Sequence, residues 1–397
     1  MRDTSWRSYL LLLLLSAASV PIPKFASACG TLSCELRNQR DTSTSMILVP
    51  LLNPKFAIGL AARPGELRVR GTSPPAAMGQ PASEQFKGQT ISIEIGYGVG
   101  GGYDTYARAL ARHYGRFIPG NPAVVPKNMP GAGSLRAANY IFNLAPKDGT
   151  ELGAWAASTV MEPLMGNDQA KFDATKFGWI GSMNQDISFC GLWVHPGGPQ
   201  SFADMFKVET VFGSAGQASI SYQHPLILKN VLGAKVKVIT GYAGTREVNL
   251  AMQRGEVHGA CGLFLSSIKS QYLSDVQNGR LKLVIQMGPK TTDIFGPVPS
   301  VFDFAKSDEE LRVLELHFKQ ILLGRPIAAP PDVPPSILET LRTAFMQTMH
   351  DPEFLEDAKK VNIDIDLVSG AEIEGLLRQF ADYPTAIIRK ARAAIGR

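Results

Sequence analysis

The sequence has few of the features that mark an enzyme or a cysteine-rich scaffold. It contains four cysteines in 397 residues, which is too few for the disulfide framework of a small secreted domain. The motifs H-E-x-x-H, C-x-x-C and G-x-S-x-G are absent, and with them common signatures of zinc proteases, dithiol oxidoreductases and serine hydrolases. We therefore predict that the protein is not an enzyme and uses no cofactor.

Histidine is scarce, and its positions give no metal-ligand pattern. The six histidines are His113, His195, His224, His258, His317 and His350. Two of them, His113 and His317, are predicted to lie on helices in solvated or capping positions. His258 and Cys261 stand three residues apart, but two ligands without a third are poor evidence for zinc. No metal site is predicted.

An excess of one charge is absent from most of the chain. Residues 1–89 contain 10 Lys and Arg against 5 Asp and Glu, whereas residues 90–397 contain 30 of each kind. The net charge of +5 at pH 7 therefore comes from the N-terminal part. A neutral remainder gives no reason to expect nucleic acid as a partner.

Long hydrophobic runs are missing, and a short one lies near the N-terminus. Two arginines precede the apolar run from Tyr9 to Leu15, which is too short to span a bilayer. Ala26-Ser27-Ala28 then fits the A-x-A cleavage rule. The pattern predicts a secretory signal peptide over residues 1–28 and a periplasmic mature protein. A lipid anchor on Cys29 is the alternative.

Composition separates a tether from the folded part. Residues 29–89 are rich in Pro, Gly and Ser and are predicted to be a loop-like tether. Residues 90–397 exceed the size at which single cores stop growing, so two lobes are expected. Cys190 and Cys261 lie in apolar runs of this part. We expect two buried thiols there, with a disulfide as the alternative in an oxidising compartment.

The most informative stretch runs from Ile91 to Arg116. Isoleucines at alternate positions predict a short strand, and a helix pattern with apolar residues at i, i+3, i+4 and i+7 begins near Ala107. Five glycines between Gly96 and Gly102 allow φ > 0 and close approach to a ligand. The first amides of such a helix lack intrahelical partners and lie at the positive end of its dipole, so the turn suits an anion.

The identity of that anion has more than one interpretation. Gly96 to Gly101 matches the dinucleotide pattern G-x-G-x-x-G, but no acidic residue occurs between Asp104 and Asp148 to bind the ribose. A turn that only connects strand to helix is a further interpretation. The one we favour is a small carboxylate.

A second strand and helix follow, and a third strand ends near Ala156. The order strand, helix, strand, helix, strand implies a parallel sheet covered on both faces, which binds ligands at the carboxyl ends of its strands. The glycine turn and Ser158-Thr159 both belong to that edge.

Several motifs resemble those of one family of binding proteins. The segments GYGVGGGYD, KNMPGAGS and APKDGTELG occur in that order near the start of the folded part. Further matching segments are Gly213–Ser219, Gly241–Thr245, Gln253–Val257 and Asp351–Phe354. Together they are similar to the periplasmic receptors of the tripartite tricarboxylate transporter family, also called Bug solute-binding proteins. The resemblance covers about residues 88–395.

The resemblance implies a two-lobed α/β periplasmic binding protein of type II, in which helices cover a mainly parallel sheet in each lobe. Two crossing segments would form the hinge, and we place them near residues 189–196 and 284–289. Lobe 1 would comprise residues 90–195 and 286–397, and lobe 2 residues 196–285.

The resemblance also implies a function. An extracytoplasmic receptor of this kind captures a small carboxylate between its lobes and delivers it to the membrane permease subunits of a tripartite tricarboxylate-type transporter. We expect a monomer. An exported enzyme and a ligand-presenting accessory of a sensor are the alternative functions.

In this family, main-chain amides of two facing loops and ordered water hold one ligand carboxylate. The predicted ligand-binding residues are Tyr97, Gly98, Gly100, Gly101, Gly102, Tyr103, Asp104, Ser158, Thr159, Ser214, Gly216, Ala218, Ser219, Tyr242, Gly244 and Cys261. Asp104 has a second interpretation, as a carboxylate favoured at a helix start. Tyr103 replaces a usual small residue and Cys261 a frequent acid, which favours a monocarboxylate, a dicarboxylate or an aromatic acid over an amino acid.

Overall fold

A computed structural model describes residues 85–397. The predicted signal peptide, the possible anchor site at Cys29 and nearly all of the predicted tether lie outside these residues. Within them, helices cover two separate sheets. No helix in this part is both long and apolar enough to cross a membrane.

The first sheet contains six strands in the order β11-β4-β10-β3-β1-β2, and the second contains five in the order β7-β6-β8-β5-β9. The strands of the first sheet are β1 Thr90–Ile95, β2 Ala123–Asn128, β3 Glu151–Ala154, β4 Gly178–Ser182, β10 Pro326–Ala329 and β11 Val368–Ser369. Those of the second are β5 Ser188–Trp193, β6 Thr210–Ser214, β7 Val236–Thr240, β8 Gly259–Phe264 and β9 Leu281–Gln286.

The α-helices of residues 85–397 are numbered here in chain order. They are α1 Gly102–Tyr114, α2 Leu135–Asn143, α3 Ile220–Asn230, α4 Thr245–Gln253, α5 Leu265–Ser267, α6 Leu273–Gln277, α7 Asp308–Lys319, α8 Pro335–His350, α9 Pro352–Lys360, α10 Gly370–Ala381 and α11 Thr385–Ala394. A π-helical turn, Ile268–Tyr272, joins α5 to α6. Short 3₁₀ turns occupy Gly115–Phe117, Ala132–Ser134, Ala157–Met161, Ala174–Lys176, Ala203–Phe206, Val301–Phe304 and Gln320–Leu323.

Both sheets are mixed. β1 pairs in parallel with β2 and β3, and β6 with β7 and β8, where helices connect successive strands as predicted. β10 is antiparallel to β3 and β4, and β5 is antiparallel to β8 and β9. The prediction of mainly parallel sheets is therefore wrong for the strands at which the chain changes sheet, because these are not joined to their neighbours by a helical crossover.

The first crossing between the sheets comes earlier than predicted. The chain leaves β4 at Ser182 and begins β5 at Ser188, so residues 189–193 are a strand of the second sheet. Their apolar sequence reflects burial between β8 and β9. The chain leaves the second sheet after Gln286, inside the predicted crossing at 284–289. The lobe boundaries themselves stay a prediction.

Cys190 and Cys261 form a disulfide, so the expectation of two separate thiols is wrong. The physical reason is the strand pairing, since β5 and β8 are antiparallel and place the two residues directly opposite each other. The bridge closes a loop with a sequence separation of 71 residues.

Removing this disulfide is expected to lower the free energy of unfolding by about 2 to 4 kcal/mol, because the bridge restricts the unfolded chain. Chemical denaturation with and without a reductant measures the change. The double variant Cys190→Ala/Cys261→Ala should have the same free energy of unfolding as the reduced protein. Adding the reductant should not change the stability of this variant. A reductant effect of equal size in that variant would contradict the assignment.

Two histidines are buried in the core, and for His317 this corrects the prediction of a solvated or capping position. His224 on α3 packs edge-on against Phe318 at 4.9 Å, and neither of its ring nitrogens has a partner among the described residues. Burial lowers the pKa of His224 to about 3. Burial likewise lowers the pKa of His317 to about 4. The hydrogen bond between its Nε2 and the Ala391 carbonyl acts in the opposite direction and raises the pKa, but burial has the larger effect.

Stability is therefore expected to fall as the pH drops from about 6.5 towards 4. Both histidines stay neutral in the fold in this range, while the unfolded chain, with its ordinary pKa near 6.5, takes up protons. Denaturation midpoints measured between pH 7.5 and 4.5 would test this. The variant His224→Phe should show a shallower slope than the parent, and an unchanged slope would contradict the role of His224.

Candidate functional site

A cavity lies between the two sheets, where the glycine-rich turn of the first sheet meets loops of the second. Its lining includes four predicted site residues, Tyr97, Tyr103, Gly244 and Cys261. It also includes residues that were not predicted, among them Ile220, Ser221, Thr245, Val248, Phe264, Ser267 and Arg325. The cavity volume is about 30 Å³, which is enough for ordered water. A larger ligand therefore requires the two halves to separate and close around it.

A larger recess of about 760 Å³ lies elsewhere in the described part of the chain. Its lining includes Lys269, Leu273, Lys359 and Asp364, and the salt bridge between Lys269 and Asp364 (2.7 Å) belongs to it. We place the candidate site in the smaller cavity, because that is where the strand ends and the predicted loops converge.

The glycine-rich turn is held in shape by Asp104, which lies in the first turn of α1 and is 2% exposed. Its carboxylate accepts hydrogen bonds from the Gly100 amide (2.8 Å), Arg108 Nε (2.9 Å) and Asn128 Nδ2 (2.8 Å). Burial opposes ionisation, but the bonds from Arg108, Gly100 and Asn128 prevail and lower the pKa of Asp104. Asp104 does not line the cavity, so the structure places it in the helix-start role that was its alternative interpretation.

The variant Asp104→Ala is expected to lose about 1 to 3 kcal/mol of stability, because the Gly100 amide and Asn128 lose their shared acceptor. The loss should shrink at acid pH, since the lowered pKa means that this stabilisation falls as the carboxylate is protonated. Denaturation at pH 7 and pH 3 measures both effects. The partner variant Arg108→Ala should cost less, because Arg108 is partly exposed. Equal costs at both pH values would contradict the role of the carboxylate.

The predicted amide cradle is only partly available to a ligand. Four of the predicted ligand-binding residues already donate their N–H groups to protein oxygens: Gly98 to Ala243 O (3.0 Å), Gly100 to Asp104 (2.8 Å), Gly216 to Ser214 Oγ (3.2 Å) and Ser219 to Gly216 O (3.0 Å). The amides of Gly101, Gly102 and Tyr103 come before Thr105, whose amide makes the first intrahelical hydrogen bond, to the Gly101 carbonyl (3.0 Å). They therefore lack intrahelical acceptors and lie at the positive end of the helix dipole.

The second glycine loop contributes to the cavity lining and also packs against another loop of the first half. Its Gly213 and Ala215 line the cavity together with Tyr97 and Tyr103. A β-carbon on Gly133 would lie 2.5 Å from the Ser219 nitrogen, so the second loop also contacts the loop around Gly133. Ser158 Oγ donates to the Ala218 carbonyl (2.8 Å) in the same contact. Thr159 Oγ1 donates to the Gly133 carbonyl (3.4 Å). Gly133 and Ser158 thus contact Ala218 and Ser219 of the other half, whereas Thr159 supports Gly133 from within the first half. None of these residues lines the cavity.

The glycine-rich turn also contacts the loop Gly241–Thr245 of the second half. Gly98 donates to Ala243, and a β-carbon on Gly244 would lie 3.6 Å from the Gly98 nitrogen. Tyr242 packs against Gly213, which lines the cavity, but Tyr242 itself does not line it. Tyr97 and Tyr103 stack with ring centroids 5.1 Å apart and form one wall.

Three serine hydroxyls form a cluster on the second half. Ser214 Oγ lies 3.2 Å from Ser219 Oγ and 3.1 Å from Ser221 Oγ, and the last two are 2.7 Å apart. Of the three, Ser221 lines the cavity. The predicted residues Ser214 and Ser219 thus support a cavity hydroxyl that was not predicted.

Arg325 is the most important residue that the sequence analysis missed. It lies just before β10, is 2% exposed, and its guanidinium carbon is 4.4 Å from the ring centroids of Tyr103 and Phe264. Its Nη2 donates to Ser266 and Ser267 hydroxyls at 3.2 Å and lies 3.6 Å from Asp186 Oδ2. The available signal was a single arginine between two apolar runs, which is typical of a surface loop as much as of a buried site.

A group of possible metal ligands lies far from the cavity, at the surface. His113, Asp351 and Glu353 approach one another there. The guanidinium of Arg116 forms ion pairs with both carboxylates. This arrangement is an ion-pair network, and we assign no metal to it.

The two sheets, each covered by helices and connected by crossing segments, with a cavity between them, define a two-lobed α/β periplasmic binding protein fold. Solved structures share it. BugD is 16% identical, with a TM-score of 0.60 over 77% of this chain and 97% of its own. MatC from Rhodopseudomonas palustris with bound malate is 16% identical, with a TM-score of 0.58 over 77% and 99%.

These comparisons confirm, at the level of the fold, the resemblance that was predicted from the sequence. A third similar structure, an R. palustris protein with adipate, is 14% identical, with a TM-score of 0.59 over 78% of this chain and 97% of its own. A UPF0065 protein from the gbd 5′ region of Cupriavidus necator is 24% identical over 354 residues, 85% of this chain and 92% of that protein. No family model matches the chain.

Proposed function

We propose that this protein is an extracytoplasmic solute-binding receptor, which captures a small carboxylate between its lobes and delivers it to the permease of a tripartite tricarboxylate-type transporter. The observation that carries the proposal is the enclosed cavity between the sheets, where a buried guanidinium lies beside the start of α1. Both are positive and both are shielded from water, so a carboxylate is the ligand they favour.

The relatives support this chemistry. MatC was solved with malate and another R. palustris protein with adipate, and both ligands are small carboxylates. The proposed location is the periplasm and the proposed state is a monomer that meets membrane permease subunits. The protein carries its ligand and does not transform it.

The energetics are compatible with useful affinity. A hydrogen bond to a charged group contributes about 1.5 to 3 kcal/mol. Bonds from Arg325, from amides at the start of α1 and from cavity hydroxyls would together offset the cost of ordering the ligand. Micromolar binding requires about −8 kcal/mol in total.

Binding is expected to require an opening of the cleft, because the closed cavity is much smaller than malate or adipate. The crossing segments after Ser182 and after Gln286 are the connections about which such a motion would occur. Closure would then bring the contacts of Gly133 and Ser158 with the second half back into place.

The test is a binding measurement on the exported protein. Native mass spectrometry of the protein from the periplasm should detect a co-purifying acid, and calorimetry should give micromolar affinity for that acid after unfolding, dialysis and refolding. Recovery of the acid unchanged after long incubation separates a receptor from an enzyme. Conversion of the acid, or no affinity for any carboxylate, would contradict the proposed function.

A further inference from the structure

The charges of the cavity lining narrow the class of ligand, provided that the proposed function holds. We propose that the site selects a monocarboxylate with an uncharged body, and that the Arg325 guanidinium is the single cation that pairs with it. Among the cavity-lining residues of the described part of the chain, Arg325 alone is charged.

Arg325 has binding capacity that the protein does not use. Its hydrogen bonds to Ser266 and Ser267 both involve Nη2, while Nε is buried and has no acceptor among the described residues. A buried donor without an acceptor is costly, and a ligand carboxylate would remove that cost. The guanidinium also lines the cavity, so it is within reach of a bound ligand.

The nearby Asp186 does not neutralise this capacity. Its carboxylate lies 3.6 Å from Arg325 Nη2, which is longer than a hydrogen bond. Other donors already satisfy it, namely the Ser266 hydroxyl, the Ser266 amide (3.3 Å), Asn184 Nδ2 (3.0 Å) and the Ile187 amide (2.9 Å). Asp186 therefore positions Arg325 and balances part of its charge without occupying Nε.

No second cation lines the cavity in the part of the chain that the structure describes. Tyr97, Tyr103, Ile220, Val248, Phe264 and the bridged Cys261 offer apolar surface, and the remaining polar side chains, Ser221, Thr245 and Ser267, are neutral. Arg246 and Glu247 are charged groups of the neighbouring helix α4, but they lie against Gly100 and Gly98 and do not line the cavity. A second buried carboxylate would lose its hydration without gaining a cation.

The first test compares matched acids on the wild-type protein by calorimetry: butyrate with succinate, hexanoate with adipate, and benzoate with terephthalate. In at least one pair the monocarboxylate should bind about 10-fold or more tightly than its dicarboxylate partner, which corresponds to one unpaired buried charge. Equal or tighter binding of the dicarboxylates would overturn the proposal and leave the proposed function intact. Failure of all six acids to bind would count against both.

The second test removes the cation. Arg325→Gln should weaken binding of the preferred monocarboxylate by about 10- to 100-fold, whereas Arg246→Gln should leave it unchanged. The double variant Arg325→Gln/Asp186→Asn avoids a buried unpaired carboxylate and should show the same loss with a wild-type circular dichroism spectrum. Full affinity in either folded Arg325 variant would overturn the role of Arg325, even if carboxylates still bind.

Discussion

Gly133→Ala is expected to weaken ligand binding about 100-fold without unfolding the protein. A β-carbon at this position would lie 2.5 Å from the Ser219 nitrogen and 3.0 Å from the Ala218 carbonyl carbon. Both atoms belong to the main chain of the opposite half, so no side-chain rotation relieves the clash. The two halves would have to stay apart instead. If the closed form loses about 3 kcal/mol, the binding-competent fraction and the affinity fall by about two orders of magnitude.

Calorimetry with a bound acid and small-angle scattering measure the two consequences. Scattering should show a larger radius of gyration for the variant, because closure is prevented. The matched control is Gly233→Ala, since Gly233 also has a positive φ (83°) but open space around its β-carbon position. Gly233→Ala should show the same small loss of stability as Gly133→Ala, but it should bind the ligand with the affinity of the parent protein. Equal loss of affinity in both variants would show that closure of this contact does not govern binding.

Local pattern was sufficient to predict most of the fold. The strand predicted from the alternating isoleucines after Thr90 coincides with β1, and the glycine-rich turn does join β1 to α1. Such elements depend on neighbouring residues, whose spacing is visible in the sequence. The first crossing was misplaced because the run from Phe189 to Trp193 has the composition of any buried strand. Only pairing with β8 and β9 assigns it to the second sheet.

The candidate site was harder to predict, because its residues come together from distant parts of the chain. Tyr97 and Tyr103 could be predicted because they belong to the glycine-rich turn. Arg325 could not, because it lies 221 positions after Asp104 in the sequence. Nothing in the sequence around Arg325 shows that β10 lies next to β3 and β4. The sequence also did not show that the Gly98 and Gly216 amides have protein acceptors, because these are set by packing and by local side chains rather than by glycine spacing.

Gly324→Ala is expected to cost more stability than the other substitutions proposed for this chain, with a loss of about 4 kcal/mol or more. Gly324 has φ 54° and ψ −110°, and its β-carbon would lie 1.6 Å from the carbonyl oxygen of Asn184, in the segment that crosses between the sheets.

That segment cannot easily move aside, because Arg325 N donates to Ser182 Oγ (2.8 Å), which in turn donates to the Asn184 carbonyl (3.0 Å). Thermal denaturation should show a midpoint about 10 °C lower than the parent. Gly279→Ala, with φ 69° and no neighbour within 4 Å, separates backbone strain from the clash and should cost about 1 kcal/mol. Similar losses in the two variants would mean that the crossing segment yields to the added methyl group, and that its position beside Gly324 is not fixed by packing.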